Sequence, residues 1–139
     1  MAEPRAMRYT DIVSAKKTMI GSKVVSAQKE DLGKIEDVVL HAGAGRIAYA
    51  VLSFGGFLGM GDKYFAAPWN ALHFNLPEKH AVLNLDKKHL ENAPGFDKDN
   101  WPNMADSNWG TRIYKHYGYT LTGMRGSAQR GRDERRPLK

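Results

Sequence analysis

The histidines of this chain are the residues whose chemistry best suits metal binding and general acid–base catalysis. They are His41, His73, His80, His89 and His116. No two of them form an H-x-H or H-E-x-x-H motif, and the sequence has no cysteine to complete a zinc site. We also find no G-x-S-x-G motif and no distinctive carboxylate pair. The sequence therefore predicts no enzymatic activity, metal or cofactor, although histidines on different strands could still converge on a metal ion.

A glycine motif, Gly43-x-Gly45-x-x-Ala48, has the spacing of a dinucleotide-binding fingerprint. That fingerprint needs a helix directly after the glycines, because the helix N-terminus holds the pyrophosphate. Here the glycines precede "RIAYAVLSF", whose residues favour a strand. We therefore predict a hairpin turn at this position.

The C-terminal segment, residues 125–139, contains six Lys/Arg and two Asp/Glu, so it holds most of the net charge of +6. Most terminal segments of this composition are solvated and disordered. A nucleic-acid-binding arm is the alternative, because cationic side chains neutralise backbone phosphates. The candidate contacts are Arg125, Arg130, Arg132, Arg135 and Arg136.

A glycine-rich loop in "SFGGFLGMGDKYFAAPW" carries three large apolar side chains, Phe57, Leu58 and Met60. Loops usually face water, so these side chains need a surface that covers them. Burial of one such side chain contributes roughly 1.5–3 kcal/mol. The covering surface is either the protein's own barrel or a second copy or partner protein, and the sequence leaves both interpretations open.

Short apolar runs separated by turn signals predict the strands that position these groups. The runs cover residues 23–26, 33–41, 46–54, 64–67, 71–75 and 80–85. They predict a mainly β fold, a small antiparallel β-barrel. Both faces of residues 46–54 are apolar, so a helix, the C-terminal segment or a second subunit must cover the outer face. A break in alternation near Glu36 and Asp37 predicts a β-bulge.

Two short helices are predicted after the barrel. Asp86 can cap the first helix, and Asp106 or Ser107 can cap the second. The second helix carries an apolar stripe at i, i+4 and i+8, formed by Trp109, Ile113 and Tyr117.

We divide the chain into a flexible leader at 1–17, a barrel domain at 18–86, a helical and aromatic extension packed on the barrel at 87–118, and a basic disordered tail at 119–139.

Composition restricts the class of protein. The chain has 139 residues, of which 42% are hydrophobic and 26% are charged, and this suits one packed domain with tails. The longest uncharged run, residues 47–61, is shorter than the roughly 18 apolar residues that a membrane helix needs. The first residues lack the apolar stretch of a signal peptide. We therefore expect a cytoplasmic protein without a membrane span.

Several segments together resemble the PRC-barrel family. They are "IGSKVVS", "DLGKIEDVVL" and "GRIAYAVLSFGGFLGMGDKYFAAPW". This family includes the cytoplasmic domain of the photosynthetic reaction-centre H subunit and the C-terminal domain of the ribosome-maturation factor RimM. In the present chain, the segment after the barrel is similar to that of stand-alone bacterial members of the family. The resemblance implies a small PRC-type β-barrel, usually without catalytic activity, that binds other proteins. It supplies no catalytic residue, because the family has no shared active site.

Two function classes follow from these observations. The first is a non-catalytic, self-associating adaptor, whose partners are a second copy and an unidentified protein, with Phe57, Leu58 and Met60 at the contact. The alternative is an RNA- or ribosome-associated factor that uses the arginines of the tail. A two-fold homodimer is the commonest way to cover an exposed apolar patch, so we expect a dimer or higher oligomer.

Overall fold

The computed structural model describes residues 11–54 and 63–119, which fold around one seven-stranded sheet. The strands are β1 (Lys23–Ser26), β2 (Asp31–His41), β3 (Arg46–Phe54), β4 (Lys63–Pro68), β5 (Leu72–Asn75), β6 (His80–Leu83) and β7 (Gly95–Phe96). Their order across the sheet is β5-β6-β1-β2-β3-β4-β7. The predicted mainly β fold is confirmed, and β7 is a short strand that the sequence analysis did not predict.

Pairing in the sheet differs from the expected antiparallel barrel in two respects. β1 and β6 run parallel, with Lys23 opposite His80 and Ser26 opposite Leu83. Among the residues that the structure describes, no pairing joins β5 to β7, so the sheet is not closed into a barrel. The edge strand β7 has only two residues, and an isolated bridge between Asp97 and Asn100 follows it.

Strand β3 lies at the centre of the core. Every residue from 48 to 53 is buried, and successive residues of a strand point to opposite faces, so both faces are covered. The ring of Tyr49 contacts Trp109 and Tyr114, at centroid distances of 5.3 and 5.9 Å. A helix of the same chain therefore covers the Tyr49 face of β3, which settles one of the alternatives that the sequence left open.

The two predicted helices are present as α1 (Lys87–Glu91) and α2 (Ser107–His116). Asp86 caps α1, where its side chain accepts a hydrogen bond from the His89 N–H, and Asp106 caps α2 through the Asn108 N–H. A π-helical turn, Ala15–Met19, includes the end of the segment assigned to the leader, and a 3-10 turn, Trp69–Ala71, links β4 to β5.

Two histidines join α1 to α2. His89 Nε2 donates to the carbonyl oxygen of His116 at 2.8 Å, and His116 Nε2 donates to that of His89 at 2.9 Å. The ring centroids are 4.3 Å apart. This reciprocal pair fixes the relative position of the two helices, and through α2 it supports the aromatic contacts with β3.

The bulge predicted in β2 is confirmed by a shift of register between Ile35 and Asp37 against β3. Just before it, Gly33 has a φ of +101°, and a Cβ at that position would overlap the carbonyl oxygen of Ser53. Glycine is therefore required here both by the backbone conformation and by the close approach of β3.

No helix among the described residues is long and apolar enough to cross a membrane.

Candidate protein-binding groove

A groove of about 570 Å³ lies between the end of the β2–β3 hairpin and the segment that leads into α2. We call it the hairpin groove. Its lining is mostly apolar and consists of Val39, Leu40, His41, Ala42, Gly43, Arg46, Ala48, Tyr49, Met104, Ala105, Asp106, Ser107 and Gly110. An apolar concave surface with a few polar groups at its edge is typical of binding sites.

The hairpin wall owes its shape to a second irregularity in β2. The register against β3 shifts between Val39 and Leu40, so that Val39 faces Tyr49 and Leu40 faces Ile47. The next residues turn tightly, because His41 Nδ1 accepts a hydrogen bond from the Ala44 N–H at 3.1 Å. As a result Leu40 lies at the rim of the groove with 62% of its surface exposed.

The opposite wall is the entry to α2. Met104 packs against the core while it also lines the groove, and Asn103 holds the turn before the helix through the Ala105 N–H. Gly110 is buried on α2 and also lines the groove. The wall therefore rests on ordered secondary structure.

The buried Tyr49 forms part of the floor of the groove, and its ring contacts those of Trp109 and Tyr114. Burial raises the pKa of the Tyr49 hydroxyl to about 12, and the neighbouring Tyr114 adds to this rise. Burial also raises the pKa of Tyr114. Both phenols are neutral at physiological pH, so the floor adds no charge to the groove. Besides Tyr49, the ionisable side chains of the lining are His41 and Arg46 on the hairpin and Asp106 at the start of α2.

This arrangement suits binding of apolar side chains. An exposed leucine next to an apolar concavity is the kind of surface that protein interfaces cover. The described residues contain no group of three His, Cys, Asp or Glu side chains placed to hold a metal ion. In the described chain the histidines meet only in pairs, His89 with His116 and His80 with Glu78.

Comparison with known proteins places the chain in a family. The model of the PRC-barrel domain family matches residues 11–90, which is more than half of the chain. The chain belongs to the PRC-barrel family. No curated protein matches it significantly.

Among solved structures, the chain is similar to a 16S ribosomal RNA processing protein RimM from Pseudomonas aeruginosa. Identity is 15% and the TM-score is 0.38. The match covers 59% of this chain and 50% of the RimM chain, so the present chain spans about half the length of that protein. At this TM-score the likeness carries no argument about function.

The residues that the sequence analysis named as candidate contacts of this PRC-barrel protein lie outside the described residues. Phe57, Leu58 and Met60 fall within residues 55–62, and the five arginines fall within residues 120–139. The hairpin groove was not predicted. The sequence signal for one wall of the groove was a leucine directly before "HAGAGR", at the end of a predicted hairpin. The opposite wall is formed by residues more than sixty positions later in the sequence, so the sequence did not show that the two walls meet.

Proposed function

We propose that this protein is a non-catalytic PRC-barrel module that binds other proteins, a second copy of itself among them. The observation that carries the proposal is the hairpin groove, with Leu40 exposed at the rim of an apolar concavity built on ordered elements. Burying one large apolar side chain in an interface contributes roughly 1.5–3 kcal/mol, so a few such contacts give useful affinity. Family membership supports the proposal, because a PRC-type barrel implies a protein-binding role.

The test compares two double variants in sedimentation equilibrium at high micromolar concentration. Leu40→Ser with Met104→Ser removes the apolar rim of the groove. Ile12→Ser with Val13→Ser removes two apolar side chains that are exposed elsewhere, at 67% and 37% of their surface, and serves as the matched control. We expect the unmodified protein and the control to self-associate and the groove variant to be monomeric, with circular dichroism showing that all three are folded.

Binding of other proteins is tested with the same variants. Each is immobilised at equal density, and the proteins retained from a native lysate are quantified by mass spectrometry. We expect the groove variant to lose partners that the unmodified protein and the control retain. A monomeric unmodified protein would remove self-association from the proposal, and identical retained sets for all three proteins would contradict the groove as a binding site.

The alternative is an RNA- or ribosome-associated factor that uses Arg125, Arg130, Arg132, Arg135 and Arg136. Its support is the basic composition of residues 125–139. Cations that neutralise phosphates release counterions, so binding of this kind weakens steeply as salt rises. Deletion of residues 120–139 should then abolish salt-dependent binding to RNA, whereas an adaptor should keep its self-association after the same deletion.

A further inference from the structure

A second groove, of about 480 Å³, runs along the parallel strands β1 and β6 on the far side of the sheet from their core-facing residues. We call it the lysine groove. Val24 and Leu83 point into the core and are fully buried. Because side chains alternate along a strand, their neighbours Val25 and Val82 point outward, and these two half-buried valines form the floor of the groove.

The lining of the lysine groove is positively charged. Lys23, Lys29 and Lys79 line it together with a single acid, Glu78, so the balance is positive even when His80 is neutral. The carboxylate of Glu78 lies 3.7 Å from His80 Nδ1. Within the part of the chain that the structure describes, none of the three lysines forms an ion pair. Three ammonium groups are therefore available to an anionic ligand.

Two of these lysines occupy a backbone conformation that is uncommon for residues other than glycine. Lys29 has a φ of +70° and Lys79 a φ of +55°, and they are the positive-φ non-glycine residues of the described chain. Each lies in a tight turn, where its N–H donates to the carbonyl oxygen of Ser26 or of Leu76. Asparagine or glycine would fit these positions with less strain, so the turns do not by themselves explain the choice of lysine.

Parallel pairing places the two turns at opposite ends of the groove. The turn with Lys29 follows the C-terminal end of β1, whereas the turn with Lys79 precedes the N-terminal end of β6. Four residues of strand separate these ends, which corresponds to roughly 13 Å at about 3.3 Å per residue. Lys29 therefore lies at one end of the paired strands, whereas Lys79 and Lys23, which pairs with His80, lie at the other.

We propose that the lysine groove binds an extended, acidic segment of a partner protein. Alternate residues of an extended chain point to the same side, about 6.6 Å apart. Carboxylates at the first and last of three such positions would reach lysines at the two ends, and an apolar side chain between them would contact Val25 and Val82. The charges and the apolar floor thus match an acid–apolar–acid pattern on one side of the segment.

The composition of the floor favours a peptide over single-stranded nucleic acid. Proteins that bind single strands stack the bases on aromatic side chains. The lining of the lysine groove contains no phenylalanine, tyrosine or tryptophan, and its floor is formed by aliphatic side chains. This surface is separate from the hairpin groove, so the inference does not depend on what that groove binds.

The experiment measures the fluorescence anisotropy of a labelled peptide with the repeating pattern Glu-Thr-Val-Thr. The matched peptide carries glutamine in place of glutamate. The groove variant combines Lys23→Gln, Lys29→Gln and Lys79→Gln, and the control variant combines Lys88→Gln, Lys98→Gln and Lys115→Gln, which changes the net charge equally. Each exposed ion pair contributes little alone, but three are lost together, so we expect the groove variant to raise the Kd about tenfold.

The control variant should bind the acidic peptide like the unmodified protein, and the glutamine peptide should bind weakly to all of them. Higher salt should weaken the specific binding, because exposed charges are screened. The inference would be overturned if the acidic peptide did not bind, or if both lysine variants weakened it equally. Tighter binding of a ten-nucleotide thymidine strand, lost in the groove variant, would also overturn it and would assign the site to nucleic acid.

Discussion

Gly33 has the closest contact for an added Cβ among the described glycines that were compared. Its φ of +101° is unfavourable for other residues, and a Cβ would collide with the backbone of Ser53 on the neighbouring strand. Backbone atoms in a paired strand cannot move aside without breaking the ladder. We expect Gly33→Ala to lower the free energy of unfolding by about 3 kcal/mol, measured by urea denaturation.

Gly45 provides the matched control for this prediction. It also has a positive φ, of +68°, but a Cβ there would have no neighbour within 4 Å. Gly45→Ala should therefore cost about 1 kcal/mol, which reflects the backbone conformation alone. Equal losses for the two variants would show that the contact with Ser53 is unimportant.

Tyr117 carries a buried polar atom that no described residue satisfies. Its hydroxyl is buried and has no hydrogen-bond partner among the described residues. An unsatisfied buried hydroxyl costs about 1–3 kcal/mol, so Tyr117→Phe should raise the free energy of unfolding by about 1 kcal/mol. The control is Tyr119→Phe, whose hydroxyl donates to the carbonyl oxygen of Asn70 at 3.3 Å and should give no gain. Destabilisation by Tyr117→Phe would indicate a partner for that hydroxyl.

At the scale of elements, the contact between α2 and β3 should be sensitive to alkali. Burial raises the pKa of Tyr49 from 10.0 to about 12 in the folded protein. At pH values between 10 and 12, the Tyr49 hydroxyl ionises in the unfolded chain but stays protonated in the folded chain. Ionisation of this hydroxyl therefore favours unfolding. The stabilisation is complete below about pH 10 and is lost by about pH 12, and a two-unit shift corresponds to about 2–3 kcal/mol.

The measurement is a urea titration at a series of pH values from 8 to 12, followed by circular dichroism. Tyr49→Phe removes one ionising group from the contact and should reduce the dependence on pH over this range. Tyr119→Phe serves as the control, because it leaves the contact with β3 intact. If Tyr49→Phe left the pH dependence unchanged, ionisation of Tyr49 would not be its cause.

At the scale of the whole molecule, self-association is the property that follows from the apolar loop. Phe57 and Leu58 lie outside the described residues, and the prediction rests on their types and on the glycines around them. We expect Phe57→Ser with Leu58→Ser to shift the protein toward monomer in light scattering while the sheet stays folded. An unfolded double variant would instead show that these side chains belong to the protein's own core.

The sequence by itself determined the local elements of this protein. The bounds of β3, the bulge in β2 and the Asp86 cap of α1 were all predicted, because each depends on residues that are neighbours along the chain. Family membership was also readable from the strand and loop motifs, and the family match over residues 11–90 confirms it. Alternation of apolar and polar residues, turn residues and capping side chains act over a few positions, so they can be recognised directly in the sequence.

The tertiary structure decided which elements meet. The parallel pairing of β1 with β6 and the open edge at β7 were not predicted. The hairpin groove and the lysine groove were not predicted either. Every residue type except proline offers the same backbone hydrogen-bonding groups. The sequence of a strand therefore does not identify the strand with which it pairs. The choice depends on how well distant apolar faces pack together, and both grooves are formed by residues that come together through that packing.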